Sequence, residues 1–174
     1  EKVTPWWEYR RRFLTPQRIR EGVAFWQQHR ELLDRVATER GVAPEYIVAI
    51  LGVETFYGRI TGRYRVLDAL ATLAFDYPPR SGFFGKELTN FLQLSREESV
   101  DPLVALGSYA GAMGAPQFMP SSYRRYAVDG NGDGFRQSEY RAHIGLDPPG
   151  LLRSPRLVRP ALAEQAKAHR RSGR

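Results

Sequence analysis

Residues 47–58, IVAILGVETFYG, form an almost entirely apolar run that contains one carboxylate, Glu54. Pro44 precedes the run at the position that proline favours in a first helical turn, and Gly58 is expected to end it, so the sequence predicts a helix here. Since apolar residues lie on several sides of this helix, we expect it to be buried. Burial penalises an ionised carboxylate and would raise the pKa of Glu54, as a general acid near neutral pH requires.

The rest of the chain also carries helix signals, and no segment alternates convincingly between apolar and polar residues. Thr15 followed by Pro16 is typical of a helix N-terminus, and apolar residues then recur at helical spacing as far as Gly41. Further helices are predicted over 66–75, over 83–95 with Phe84, Leu88, Phe91 and Leu92 on one side, and around 120–127 after a glycine-rich loop at 107–114. The predicted fold class is mainly α.

Composition excludes several classes of protein. The 174 residues suit one domain or one large lobe of a larger protein, and 42% of them are hydrophobic, which is enough for a core. The chain has no cysteine, so disulfides, thiolate chemistry and cysteine-built zinc sites are excluded. No apolar run has the length of a transmembrane helix, and the first ten residues, EKVTPWWEYR, do not resemble a signal peptide.

The formal charge of +7 is concentrated at the end of the chain. Residues 141–174 hold eight Lys/Arg against two Asp/Glu, whereas residues 1–140 hold 18 against 17. A nearly neutral body is not expected to follow a phosphate backbone, so we predict no nucleic-acid binding by it. Prolines and arginines after residue 140 indicate a domain over 1–140 and a divergent, poorly packed basic tail over 141–174.

Two interpretations of Glu54 are open from the residues alone. It is either a catalytic acid or a structural glutamate paired with one of three arginines close in sequence, Arg59, Arg63 or Arg65. Aromatic residues crowd the same region, and such faces suit either a sugar-binding cleft or an ordinary core. These aromatic residues are Phe56, Tyr57, Tyr64, Tyr77, Phe83 and Phe84.

Two long segments resemble the catalytic domain of the lytic murein transglycosylase B family: IVAILGVETFYGRITGRYRVLDALATLAFDYPPRSGFFGKEL at 47–88, and GSYAGAMGAPQFMPSSYRRYAVDGNGDG at 107–134. The resemblance implies a lysozyme-like (goose-type) helical lobe. It implies cleavage of the β-1,4 bond between N-acetylmuramic acid (MurNAc) and N-acetylglucosamine (GlcNAc) in peptidoglycan, with a 1,6-anhydroMurNAc product. Glu54 would act as the single acid and base, and no cofactor is required for the chemistry. The implied location is periplasmic, on glycan strands and alongside other cell-wall enzymes.

The same resemblance implies that Ser108, Gln117 and Phe118 lie in the sugar-binding groove. A hydroxyl and an amide can hydrogen-bond the acetamido and hydroxyl groups of a saccharide, and an aromatic ring can pack on a sugar face. The glycines of this loop would let a ligand approach the backbone closely, although a tight packing turn explains them as well.

One departure from the family affects substrate binding. The family commonly has two arginines after a Tyr-Pro pair, whereas this chain has Pro79 and Arg80. Arg80 alone would meet a substrate carboxylate, so weaker or altered binding is expected. Ordinary glycosidases use two carboxylates. The nearest other acids are Asp68, Asp76 and Glu87. Asp68 or Asp76 could be a second carboxylate, although the spacing singles out neither. In keeping with the resemblance, we predict a site with one carboxylate.

Residues 129–135, DGNGDGF, match the first half of an EF-hand calcium loop. Asp129, Asn131 and Asp133 occupy positions 1, 3 and 5, and Phe135 would offer its backbone carbonyl at position 7. Position 12, which should carry a bidentate carboxylate, is Tyr140. The family has a calcium loop here, so the sequence leaves open a structural calcium ion and a tight Asp/Asn/Gly turn.

The tail at 141–174 does not resemble the segment that follows this loop in the family. If part of the groove wall is absent, the alternative to the enzyme is a weakened or non-catalytic murein-binding protein. A third interpretation is that the basic tail binds nucleic acid or an anionic membrane. We prefer the transglycosylase, because the helix of Glu54 and the glycine-rich segment are both intact.

Overall fold

The computed structural model describes residues 4–129 and residue 136, and the described part is mainly helical, as predicted. Its helices are α1 Trp6–Tyr9, α2 Pro16–Gln28, α3 Arg30–Arg40, α4 Pro44–Thr55, α5 Val66–Phe75, α6 Ser81–Glu97 and α7 Pro120–Tyr126, with 3₁₀ turns at Arg10–Arg12 and Pro78–Arg80. Two short strands that the sequence did not predict, β1 Tyr64–Arg65 and β2 Leu106–Gly107, pair antiparallel. No helix among the described residues is long and apolar enough to cross a membrane.

The helix starts follow the predicted capping residues. Thr15 Oγ1 accepts a hydrogen bond of 3.1 Å from the backbone N–H three residues on, and Pro16 and Pro44 take the first positions of α2 and α4. Gly41 ends α3 with a φ of 68°. The single helix predicted between Thr15 and Gly41 is in fact two. His29 leaves the helical region (φ −111°, ψ 21°), and the break allows both α2 and α3 to pack against α4.

The core lies between α5, α6 and α7. Its buried stripe on α6 runs through Phe84, Phe91 and Leu94 at helical spacing, against Leu70 of α5. Leu92, predicted on the same side, is 45% exposed because it lies about a quarter turn away from Phe91. Helix α5 has the predicted limits, 66–75, and contributes Val66 and Leu70, both fully buried, to this core.

The prediction that α4 is a buried helix is wrong for the described residues. Only one stripe of it, which includes Val48 and Gly52, is covered by α2 and α3. Tyr46, Ile50 and Val53 are 66%, 56% and 47% exposed. An apolar sequence on several sides therefore does not enclose this helix, because its packing partners lie on one side.

Candidate functional site

Glu54 lies in the last turn of α4, one residue before its C-terminal end. Its side chain is exposed, so the apolar enclosure expected from the sequence is absent among the described residues. The ion-pair interpretation is also wrong there. Arg59 pairs with Glu21 at 2.5 Å and Arg65 with Asp68 at 2.6 Å, and no described basic residue pairs with Glu54. Within the described part, Glu54 is an unpaired surface carboxylate that is accessible to a ligand.

Helix α4 ends three residues before the predicted stop at Gly58, at a strained turn. Phe56 and Tyr57 both have left-handed backbone conformations, with φ of 51° and 62°. Bulky residues rarely adopt this conformation, and each instance costs about 1–3 kcal/mol. Contacts with α2 stabilise the turn. The Tyr57 hydroxyl donates to the Arg18 carbonyl at 2.8 Å, and the Arg18 guanidinium lies 5.2 Å from the Phe56 ring centre.

The ring of Tyr57 fills a slot between α2 and α4 that two glycines create. A Cβ on Gly22 would overlap the Tyr57 hydroxyl, and one on Gly52 would lie 2.7–2.8 Å from the ring and its oxygen. Burial raises the pKa of Tyr57, while the charge of Arg18 opposes that rise. The phenol therefore remains protonated at neutral pH and keeps its role as a hydrogen-bond donor.

Thr55 joins the end of α4 to the glycine-rich loop, which in the structure continues past 107–114 to the start of α7 at Pro120. Its side chain is 1% exposed, and its hydroxyl donates to the Ala115 carbonyl at 2.9 Å. The same oxygen accepts a 2.9 Å bond from the Gly58 N–H. Sequence reasoning missed this residue, because one threonine in an apolar helix is typical of a core. Its position next to Glu54 was the available signal.

Ser108 lies at the start of the glycine-rich loop and is half-buried. Its oxygen accepts hydrogen bonds from the N–H groups of Ala110 at 3.2 Å and Ala112 at 3.0 Å. The hydroxyl hydrogen has no acceptor among the described residues. Ser108 can thus donate its hydroxyl hydrogen to a sugar oxygen, and its role in the groove stays a prediction.

Gln117 braces the other end of the loop. Its Nε2 donates to the carbonyls of Thr61 at 3.1 Å and Gly114 at 2.9 Å. Both donor hydrogens of the Gln117 amide are therefore engaged, and only its oxygen is left for a ligand. Phe118 is half-buried and exchanges two backbone hydrogen bonds, of 2.8 and 2.9 Å, with Met113. The substrate contacts of both residues stay predictions.

The loop glycines pack against the protein itself. A Cβ on Gly107 would overlap the Ala112 carbonyl, and one on Gly111, whose φ is 81°, would overlap the Leu70 side chain. At these two positions the structure therefore favours the tight packing turn, which was the alternative, over close approach of a ligand.

Arg80 ends the 3₁₀ turn and is exposed. Its guanidinium carbon lies 4.6 Å from the centre of the Phe83 ring and 5.2 Å from that of Phe84, both of them cation–π distances. It forms no ion pair with a described carboxylate, so its donors can still reach a ligand.

Two of the other acidic residues near Glu54 in sequence have structural partners. Glu87 is 4% exposed and accepts hydrogen bonds from the N–H of Ser121 at 2.9 Å and from its hydroxyl at 2.7 Å, at the start of α7. Asp68 pairs with Arg65, and Asp76 is an exposed residue just beyond α5. These contacts engage Glu87 and Asp68 but not Asp76, so the site with one carboxylate stays a prediction.

Of the predicted calcium loop, 129–135, only the first residue is described. Asp129 is exposed, whereas Asn131, Asp133 and Phe135 lie outside the described residues, as does the tail 141–174. No cluster of three or more potential metal ligands occurs within the described part.

The residue directly after this loop, Arg136, is held by α6 and α7. Tyr123 donates its hydroxyl to the Arg136 carbonyl at 2.6 Å, and the guanidinium donates to Glu97 and Glu98, each at 2.5 Å. Hydrogen bonds from Arg124 and then Arg136 lower the pKa of Glu97 to about 2. The C-terminal flank of the loop is therefore fixed to the core by charged hydrogen bonds.

A mainly helical lobe, with a glutamate that is unpaired among the described residues and a loop of hydroxyl, amide and aromatic groups, is typical of a lysozyme-like protein. Residues 1–138 match the family model described as the transglycosylase SLT domain. The chain belongs to this family, and the resemblance inferred from its two long segments is confirmed.

Among curated proteins, the chain is 54% identical over 165 residues to membrane-bound lytic murein transglycosylase B of Escherichia coli K12, an alignment that covers 94% of this chain and 42% of that protein. Among solved structures, soluble lytic transglycosylase SltB1 of Pseudomonas aeruginosa matches with a TM-score of 0.77 and 58% identity, over 84% of this chain and 50% of that one.

Two further solved structures contain bound species. E. coli lytic transglycosylase Slt35 in complex with calcium matches with a TM-score of 0.75 and 50% identity, over 80% of this chain and 44% of that one. P. aeruginosa SltB3 in complex with NAG-anhNAM-pentapeptide matches with a TM-score of 0.73 and 38% identity, over 77% and 36%. The chain spans half or less of the length of each of these four proteins.

Proposed function

We propose that this chain is a peptidoglycan lytic transglycosylase that cleaves the MurNAc-β-1,4-GlcNAc bond with Glu54 as its single acid and base. The observation that carries the proposal is the Thr55–Ala115 hydrogen bond, which joins the end of α4, directly after Glu54, to the loop that carries Ser108 and Gln117. Family membership supports the reaction class. The NAG-anhNAM-pentapeptide bound to SltB3 contains the anhydro sugar that this reaction would form.

In the proposed reaction, protonated Glu54 donates its proton to the glycosidic oxygen while the bond from MurNAc C1 to that oxygen breaks. The GlcNAc O4 leaves with this proton, and the MurNAc acetamido oxygen stabilises the positive charge at C1. The Glu54 carboxylate then accepts the proton of the MurNAc C6 hydroxyl while O6 attacks C1. No water is consumed, and Glu54 ends the cycle protonated.

Because Glu54 is exposed, the bound substrate would also serve to cover the active site. Because the described protein leaves this carboxylate open, the glycan strand itself would cover it and exclude water on binding. The Ser108 hydroxyl and the Gln117 oxygen would hydrogen-bond the sugars, and Phe118 would pack on a ring. Arg80 would meet a carboxylate of the peptide stem.

We also propose a structural calcium ion, bound by the side-chain oxygens of Asp129, Asn131 and Asp133 and the carbonyl of Phe135. Oxygen donors of this kind suit a hard cation, and calcium is present in the Slt35 complex. The chemistry itself uses no cofactor. The proposed site of action is the periplasm, on glycan strands and together with other cell-wall enzymes. The E. coli relative is a membrane-bound protein by name.

The test is digestion of purified sacculi followed by mass spectrometry of the released fragments. The unaltered chain should release fragments that end in 1,6-anhydroMurNAc. Glu54→Gln should lower the rate of this release about 10²–10⁴-fold, since an amide cannot transfer the proton. Glu45→Gln is the matched control, because Glu45 is another exposed glutamate on α4, and its rate should not change. Undiminished release by Glu54→Gln would refute the assignment.

A non-catalytic murein-binding protein is the second candidate. Two observations favour it: the exposure of Glu54, and proline at position 79 where the family commonly has arginine. Binding to sacculi without release of anhydro fragments would support this candidate over the enzyme.

A further inference from the structure

We propose that Thr55 is a positioning residue, which fixes the direction that Glu54 faces through the hydrogen bond to the Ala115 carbonyl. The inference rests on the proposed function, in which Glu54 exchanges protons with the glycan. Thr55 does not touch the reacting atoms in this proposal. It acts through the helix end that carries Glu54.

Glu54 needs such support because of its place in α4. The last turn of a helix lacks acceptors for its carbonyl groups within the helix and tends to fray. Glu54 lies in that turn, and its exposed side chain has no hydrogen-bond partner among the described residues. A general acid must nevertheless lie within hydrogen-bond distance of the oxygen it protonates. The backbone must therefore hold Glu54 in place.

The hydroxyl of Thr55 supplies this support from the buried side of the helix. The side chains of adjacent helical residues point about 100° apart around the helix axis. Because the Thr55 side chain is held toward the interior, the outward direction of the Glu54 side chain is fixed as well. The hydroxyl has one hydrogen, and the Ala115 carbonyl at 2.9 Å is a closer acceptor than the Leu51 carbonyl at 3.3 Å. Because the same oxygen accepts from Gly58, one group connects the helix end, the following turn and a loop 60 residues away in sequence.

An ordinary helical hydroxyl behaves differently, and α6 contains one for comparison. Ser95 is buried, and its hydroxyl donates at 2.9 Å to the carbonyl of Phe91, four residues earlier in its own helix. Such a bond is local and connects no second segment. Ser95→Ala is therefore a matched control for removal of a buried helical hydroxyl.

The turn after Thr55 provides the second anchor. Phe56 and Tyr57 keep their left-handed conformations while Tyr57 is bonded to the Arg18 carbonyl and inserted between the glycines of α2 and α4. The end of α4 is thus held by α2 on one side and by the glycine-rich loop on the other. Strained backbone that the surrounding structure enforces is typical of functional sites.

The first measurement is the turnover of soluble glycan fragments by Thr55→Val, at a temperature where circular dichroism finds every variant folded. We expect kcat to fall about 10²-fold with KM within about twofold, because misplacement by about 1 Å has that effect on rate. Thr55→Ser, which keeps the hydroxyl, should retain most of the rate, and Ser95→Ala should leave it unchanged.

The second measurement does not depend on turnover: the ¹⁵N order parameter of the Glu54 amide. We expect it to fall from about 0.85 to below about 0.6 in Thr55→Val and to stay high in Thr55→Ser and Ser95→Ala. If Thr55→Val does not fold, the same measurement is made on Thr55→Cys, because a thiol is only a weak hydrogen-bond donor.

An unchanged order parameter, or an unchanged kcat in an active protein, would overturn the positioning role of Thr55. If the unaltered chain shows no turnover, the proposed function fails by itself, and the order parameter alone then decides whether Thr55 holds Glu54.

Discussion

At the scale of single residues, Gln117 connects two segments that are far apart in sequence. Its Nε2 donates to the carbonyl of Thr61, which lies beyond the turn that follows α4, and to that of Gly114 in its own loop. Both acceptors are backbone groups, so the side chain stabilises the loop independently of any ligand. A residue of this kind affects stability as well as substrate binding.

Replacement of Gln117 by alanine should therefore destabilise the fold. The loss of two partly buried hydrogen bonds, each with a net value of about 0.5–1.5 kcal/mol, should lower the free energy of unfolding by about 1–3 kcal/mol. Urea denaturation measures this change. Gln27→Ala is the control, because Gln27 is exposed on α2 and should change stability by less than about 0.5 kcal/mol. Equal stability of the two variants would contradict the bracing role.

The residue types at the candidate site were predictable, but their contacts were not. Glu54 was identifiable as a single carboxylate in an apolar run, and Ser108 and Gln117 as polar residues in a glycine-rich loop. The exposure of Glu54 and the engagement of the Gln117 amide depend on segments far away in sequence. Thr55 was missed for the same reason, because its acceptor, Ala115, is 60 residues away.

At the scale of elements, α2 and α4 pack with an aromatic ring between them. Gly52→Ala should lower the free energy of unfolding by about 1–3 kcal/mol, since the added methyl group would lie 2.7–2.8 Å from atoms of Tyr57. Gly85→Ala makes the same chemical change in α6, where nothing lies within 4 Å of the new Cβ. That variant should be about 0.5–1 kcal/mol more stable than the unaltered protein, because alanine is the better helix former.

Thermal melts of both glycine variants provide the measurement. The expected result is a lower melting temperature for Gly52→Ala and a higher one for Gly85→Ala. A shift of the same sign in both variants would mean that the slot occupied by Tyr57 does not limit the packing of α2 on α4.

The elements themselves were predictable where local signals decide them. Helix α5 has the predicted limits because proline residues follow it and its apolar spacing is regular. The break at His29 has no such local signal and depends on packing against α4. The early end of α4 was equally hidden, since Phe56 rather than glycine adopts the left-handed conformation there.

At the scale of the whole molecule, charged hydrogen bonds connect the core helices to the flank of the predicted calcium loop. Arg124 of α7 donates to Glu97 of α6, and Arg136 donates to Glu97 and Glu98. Glu98 is almost fully buried, whereas the side chain of Glu97 is 37% exposed. The network therefore spans from the interior to solvent, and its contribution to stability should depend on pH and on salt.

Glu97 should make the stability of the folded chain depend on pH in the acid range. The pKa of Glu97 falls from 4.5 to about 2 on folding, first through the hydrogen bond from Arg124 and then through that from Arg136. The folded state thus binds this proton less readily than the unfolded state does, so the stabilisation is complete above pH 4.5 and is lost as pH falls through about 2.

Glu97→Gln should melt at a lower temperature than the unaltered protein at neutral pH. The difference should narrow steadily in melts below pH 4.5. Glu39→Gln, an exposed glutamate of α3 without an ion pair among the described residues, should show no such narrowing. A difference for Glu97→Gln that does not change with pH would mean that the charge of Glu97 does not stabilise this network.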